Sequence, residues 1–276
     1  MFKRFLLVIT ILFPCLGGFS QTLTSTYVQL ADSADYYISN KLWSDAERVI
    51  IKALKHEPAN KSNYLLWSNL GIVRENEDNY EGAVEAYTIG LSTAPKSTVL
   101  LTNRSRALMS LNHREEALED LEKALAVDST LQWQSKMRGV LLASLDEDAQ
   151  ALEALEKYTE KFGDDPLVLE TMGDIYGGEG DFDKMTEYYK KSYETEQDSD
   201  LLQKMLLTAY AYGKLEDMSE ILREGIKKFP RNGTLYLLRA MLNKASYQTD
   251  AYESDLKTAL NLGVDRDLYD HLTQKR

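Results

Sequence analysis

Small residues recur along this chain at a nearly constant interval. Ala46, Ala83, Ala117 and Ala151 are followed at the same phase by Met185, Met218 and Tyr252, with one step of 37 residues and the rest of 33 or 34. Twelve residues ahead of each stands a second series, Ala34, Gly71, Ser105, Gly139, Gly173, Leu206 and Ala240, again mostly small. Four residues from these positions, on the same helical face, lie larger apolar side chains. They are Leu30, Trp67, Leu101 and Leu169 before members of the second series, and Ile50, Tyr87, Leu121, Leu155, Tyr189, Leu222 and Leu256 after members of the first. Apolar residues at this spacing predict helices. Two phased series predict a unit of two antiparallel helices, which approach to an interaxial distance of about 8 to 10 Å only where the side chains at the crossing are short.

The residues between the helices fit the same period. Seven positions past the first small residue, where the first helix must turn back, stand Lys41, Asp78, Asn112, Asp146, Gly180, Gly213 and Tyr247. Most are Gly, Asn or Asp, the types that accept a positive φ at a helix C-terminus. Pro58, Pro95 and Pro230 share one phase after the second helix, where proline stops a helix, and Pro166 opens the fifth unit. Ala59 to Ser62 read as a small loop insertion between the first two units.

In this respect the chain resembles the tetratricopeptide repeat proteins, whose unit is a helix-turn-helix of about 34 residues. The second unit carries the resemblance best, with Trp67, Leu70, Gly71, Ala83, Tyr87 and Pro95; the third follows with Ser105, Ala117, Leu121 and Ala124. Leu206 and Tyr252 depart from it, being large where the family has small side chains. The resemblance implies an all-α, right-handed superhelical solenoid of about seven repeats. These fall near residues 27–60, 64–97, 98–131, 132–165, 166–198, 199–232 and 233–264. Residues 265–276, with Leu268, Tyr269 and Leu272 on one side, predict a short capping helix over the open end of the last repeat.

The N-terminus bears on location. Lys3 and Arg4 precede an apolar run from Phe5 to Phe13, and Gly18 and Ser20 are small where a signal peptidase reads. The pattern predicts a secretory leader over residues 1–20, with Gln21 first in the mature chain and an exported, periplasmic or envelope-associated protein. Nine apolar residues are too few to span a bilayer, which takes about 20. Two readings stand for Cys15, the only cysteine. It is either an inert residue of a discarded leader or the lipid-bearing cysteine of a lipoprotein, although Leu12, Phe13 and Pro14 match a lipoprotein cleavage box poorly.

Charge narrows the partners. The chain carries −12, and without residues 1–20 it keeps 30 basic against 44 acidic groups, a net of −14. Nucleic-acid binding calls for the opposite sign, as does direct adhesion to anionic lipid, so lipid contact is expected only through a modified Cys15. The excess of acid suits a solvated surface.

Catalytic motifs are not evident. His56, His113 and His271 fall in different units without a second ligand at helical spacing. Gly177, Gly178 and Gly180 end a predicted helix instead of following a strand, so they read as an inter-helix turn. The sequence therefore predicts no cofactor, no metal site and no enzyme.

Within the resembled family, the first helix of each unit lines a concave groove that receives a peptide or partner helix. Carried over, its lining positions are Ile72, Arg106, Met109, Trp133, Lys136, Val140, Glu170, Asp174, Leu207 and Tyr210. The candidate partner-binding set is Arg106, Met109, Trp133, Lys136, Val140, Asp174 and Tyr210. Two cations and an indole stand out in an acidic chain: an acidic segment would dock on Arg106 and Lys136 while Met109, Trp133 and Val140 take an apolar side chain. The family's clamp for C-terminal carboxylates does not carry over, because Ala31, Asp35, Ser68 and Ile72 occupy its positions. The expected function is a protein-interaction scaffold of the bacterial envelope that binds another protein or an extended peptide. The alternatives are an envelope lipoprotein binding glycan or peptidoglycan, with aromatic residues as stacking surfaces, and a hydrolase using groove carboxylates such as Asp174.

Overall fold

The computed structural model describes residues 26–274; the expected leader, Cys15 and Gln21 lie outside them. Among the described residues there are helices and no strand. They form consecutive pairs: α1 (Thr26–Ser39) with α2 (Trp43–His56), α3 (Asn63–Asn76) with α4 (Tyr80–Thr93), α5 (Thr98–Ser110) with α6 (Arg114–Val127), and α7 (Gln132–Ser144) with α8 (Asp148–Phe162). The series continues with α9 (Pro166–Gly178) and α10 (Phe182–Glu196), α11 (Ser199–Ala211) and α12 (Ser219–Lys228), and α13 (Gly233–Ala245) and α14 (Thr249–Asn261), ending in α15 (Arg266–Thr273). Each helix packs mainly on its pair partner and on the next pair, which makes an all-α solenoid of tetratricopeptide type.

One turn ends every first helix. Lys41, Asp78, Asn112, Asp146, Gly180, Gly213 and Tyr247 all have positive φ, between 58° and 80°. After each, the next N–H donates to the carbonyl five residues back: Leu42 to Tyr37, Asn79 to Arg74, His113 to Leu108, Glu147 to Leu142, Asp181 to Tyr176, Lys214 to Ala209 and Gln248 to Asn243, at 2.8 to 3.0 Å. This is the Schellman arrangement, which satisfies a carbonyl the helix leaves free. Lys41 and Tyr247 adopt it at a steric cost that glycine would avoid; the Tyr247 side chain is 94% exposed and gains no burial in return.

Pairs close through the small residues. A Cβ on Gly71 would overlap the Tyr87 ring, one on Gly139 the Leu155 side chain, and one on Gly173 the Tyr189 ring. Ala34, Ser105 and Ala240 are fully buried at the same phase. Within the units, buried carboxylates lock the helices further: Arg104 holds Asp120 at 2.6 and 2.7 Å, and Arg239 holds Asp255 at 2.9 and 2.6 Å.

The sixth unit departs from the pattern. Leu206 replaces the small residue, Met218 fills the facing position, and the second helix begins with a 3-10 turn over Glu216–Met218 before ten residues of α-helix. Two bulky side chains at the crossing hold α11 and α12 apart, and they touch far less than the other paired helices. The loop between α2 and α3 is fastened by Asn63, whose side chain donates to the Glu57 carbonyl at 2.8 Å and accepts from the Tyr27 hydroxyl at 3.0 Å. At the far end Asp265 caps α15, and Leu272 is buried with Leu268 and Tyr269 beside it on the core of the last units.

Four outcomes follow for thermal melts. Tyr247→Gly should raise stability by about 0.5 to 1 kcal/mol by relieving the left-handed residue. Gly71→Ala should cost about 1 to 3 kcal/mol through overpacking. Adding Tyr87→Leu should recover part of that loss, since Ser105 already lies opposite Leu121 in the third unit; no recovery would show that the Tyr87 ring is not the obstacle. Truncation after Gly263 should lower the melting temperature by removing Leu268, Tyr269 and Leu272 from the core of the last units.

Candidate partner-binding face

The first helices α1, α3, α5, α7, α9 and α11 lie side by side, and a polar link joins each to the next. Asn69 donates to Asp35 at 3.2 Å between α3 and α1. Arg106 reaches Glu75 at 3.6 Å between α5 and α3. Gln134 donates to the Thr102 hydroxyl at 2.6 Å between α7 and α5. Lys136 of α7 pairs at 2.8 Å with Asp165, the residue that caps α9 through the N–H groups of Leu167 and Val168. Lys204 of α11 pairs with Glu170 at 2.8 Å and Asp174 at 2.6 Å on α9.

These links set the electrostatics. Burial raises the Glu75 pKa, partly offset by the hydrogen bond from the Tyr87 hydroxyl at 2.7 Å and by the Arg106 charge. Burial likewise raises Tyr87, and the neighbouring Glu75 carboxylate adds to it. Tyr189, buried and donating to Asp174, is raised for the same two reasons. Burial alone would depress Lys204, but the carboxylates of Asp174 and Glu170 outweigh it and hold the ammonium charged.

The seven candidate residues separate into distinct environments. The Arg106 side chain is 52% exposed, whereas that of Lys136 is 22% exposed and engaged by Asp165. Met109 and Trp133 are half-buried on one cluster, with Leu108, Leu121 and Leu141. Val140 and Asp174 line one hollow of about 400 Å³ between α7 and α9, together with Asp146 and Asp148. Tyr210 is half-buried on the core of the fifth to seventh units. The two cations are therefore not equivalent: Lys136 ties one helix to the start of the next, and Arg106 is held loosely. Sequence reading did not single out Glu75, Asp165 or Lys204 as the groups that occupy these charges. Opposite charges at the same phase of successive units, as in Glu170 and Lys204, were the available signal. Among the described residues no group of His, Cys, Asp and Glu is arranged to hold a metal ion, and no helix is long and apolar enough to cross a membrane.

Comparison with known proteins agrees with this geometry. The tetratricopeptide repeat family model matches residues 99–130 and 168–199, in the third and fifth units. A TPR repeat-containing protein of Methanocaldococcus jannaschii is 25% identical over 70% of this chain, and a DnaJ homolog subfamily C member 7 homolog of Schizosaccharomyces pombe is 38% identical over 34% of it. The chain spans only 34% and 18% of these relatives. A tetratricopeptide repeat protein from Parabacteroides merdae superposes with a TM-score of 0.64 at 23% identity, covering 89% of this chain and 96% of its own. The C-terminal part of a TPR repeat-containing protein from Cytophaga hutchinsonii reaches 0.71 at 15% identity, covering 88% and 99%. YrrB, a TPR protein with an unusual peptide-binding site, reaches 0.54 at 19% identity over 67% of this chain and 95% of its own. By its repeat turns, its helix pairing and these likenesses, the chain is a tetratricopeptide repeat protein.

Proposed function

We propose that this protein is exported and works in the bacterial envelope, where the face built by its first helices binds an extended, acidic segment of a partner protein. The tetratricopeptide fold is a protein-interaction scaffold; the envelope location rests on the leader read over residues 1–20, and the binding face on Arg106. More than half of that side chain is exposed, and its one ion pair spans 3.6 Å. Glu75 is meanwhile engaged by the Tyr87 hydroxyl at 2.7 Å. A partner carboxylate can therefore take up the guanidinium at closer range, in the two-pronged geometry arginine favours. Met109 stands one turn along α5 from Arg106, and with Trp133 it offers apolar contact beside the charge. Lys136 contributes to the shape of the face through Asp165 and is not the anchor.

The test is crosslinked capture from envelope extract with the processed protein. Arg106→Ala should weaken capture of the partner about tenfold, and raised salt should do the same. Lys136→Ala should leave capture largely intact and lower the melting temperature. Equal capture by the parent and Arg106→Ala would move the binding surface elsewhere. A chain recovered from the periplasm and starting at Gln21 would support export; one found in the cytoplasm with its leader intact would refute it.

A further inference from the structure

At one phase near the start of four successive first helices stand Leu65, Val99, Trp133 and Leu167, spaced by 34 residues. The three aliphatic side chains are 51%, 54% and 42% exposed, and Trp133 is half-buried. Four consecutive units each place an apolar residue at this phase on the same face. The row is one residue wide. Three positions further along each helix the side chains are polar: Ser68, Thr102, Lys136 and Glu170. An amphipathic partner helix needs a continuous apolar stripe of about 100° and so a broader groove than this.

Neighbouring first helices touch directly, α3 on α5 and α7 on α9. Packed helices lie about 8 to 10 Å apart, which sets the interval from Leu65 to Val99 and from Trp133 to Leu167. In a β-strand, side chains on one face repeat every second residue, at about 6.6 Å, and miss that interval. A polyproline II chain has three residues per turn and a rise of about 3.1 Å, so every third side chain falls on one line at about 9.3 Å, close to the helix spacing. Its backbone makes no internal hydrogen bonds.

Charge gives this occupant a direction. Exposed Lys61 and Lys96 precede Leu65 and Val99, while exposed Asp164 and Asp198 stand at the opposite end, before α9 and α11. Resting on the interaction face proposed above, we infer that the partner segment is a polyproline II strand with an apolar side chain at every third position. Those side chains sit on Leu65, Val99, Trp133 and Leu167, with the acidic end of the segment towards Lys96 and the basic end towards Asp198.

The experiment compares three synthetic twelve-residue peptides matched in length and net charge by fluorescence anisotropy, using the processed protein. One carries leucine at every third position between prolines, one alternates apolar and polar residues, and one is permuted to helical spacing. The first should bind at least tenfold tighter than the others, and should lose at least tenfold with Leu65→Ser, Leu167→Ser, a double variant at exposed positions whose melt checks that it folds. Equal or tighter binding of either permuted peptide, an unchanged affinity in the double variant, or no binding of the first peptide would overturn the inference. Dependence of partner capture on Arg106 would survive each of those results, and its loss is the separate failure of the scaffold reading.

Discussion

The closest approach of the two helices in a unit governs the rest of the molecule. Where Gly71, Gly139 and Gly173 lie against Tyr87, Leu155 and Tyr189, the absence of a side chain on one helix makes room for a large one on the other. The close crossing lets the residues above and below interlock, and it fixes how far each first helix stands from the next. Alignment of the first helices, and with it every feature of the face they build, depends on that crossing being repeated from unit to unit.

The sixth unit shows the constraint by relaxing it. Leu206 and Met218 occupy the crossing, both fully buried, and the second helix yields by starting late with a 3-10 turn. A groove of about 640 Å³ opens between α10 and α12, with Met205, Tyr193 and Ile221 among its lining residues. Because stability in a solenoid is approximately a sum over units and their interfaces, a loose pair is a local weakness that its neighbours compensate. The arginine-carboxylate lock of the seventh unit and the cap laid down by α15 stand on the C-terminal side of the region.

The repeat was legible in the sequence because its two strongest requirements are local or strictly periodic. A left-handed residue must follow each first helix, and each of the seven positions read from phase alone has that conformation, Lys41 and Tyr247 included, although neither residue type favours it. What phase could not reveal was which charges neutralise which. Lys136 meets Asp165 across 29 residues and Arg106 meets Glu75 across 31, and both pairings depend on side-chain conformation and on the stagger of neighbouring helices. Periodicity places such residues on one face; it does not say whether a cation there is free or already engaged.

That distinction controls what the face can bind. A partner carboxylate arriving at Lys136 must displace a 2.8 Å ion pair and leave Asp165, which also caps α9, with less to hold it. At Arg106 it displaces a 3.6 Å contact, and the vacated Glu75 keeps its hydrogen bond from Tyr87. Removing one partner from a buried pair is costly because the remaining charge is stranded, whereas an exposed, long pair contributes little. Two arginines of this protein also engage a carboxylate through two nitrogens each, Arg104 and Arg239, and both spend that geometry inside their own unit on a buried aspartate. Arg106 has the same chemistry on an open surface, so the acidic segment proposed for it would call for no rearrangement of the solenoid.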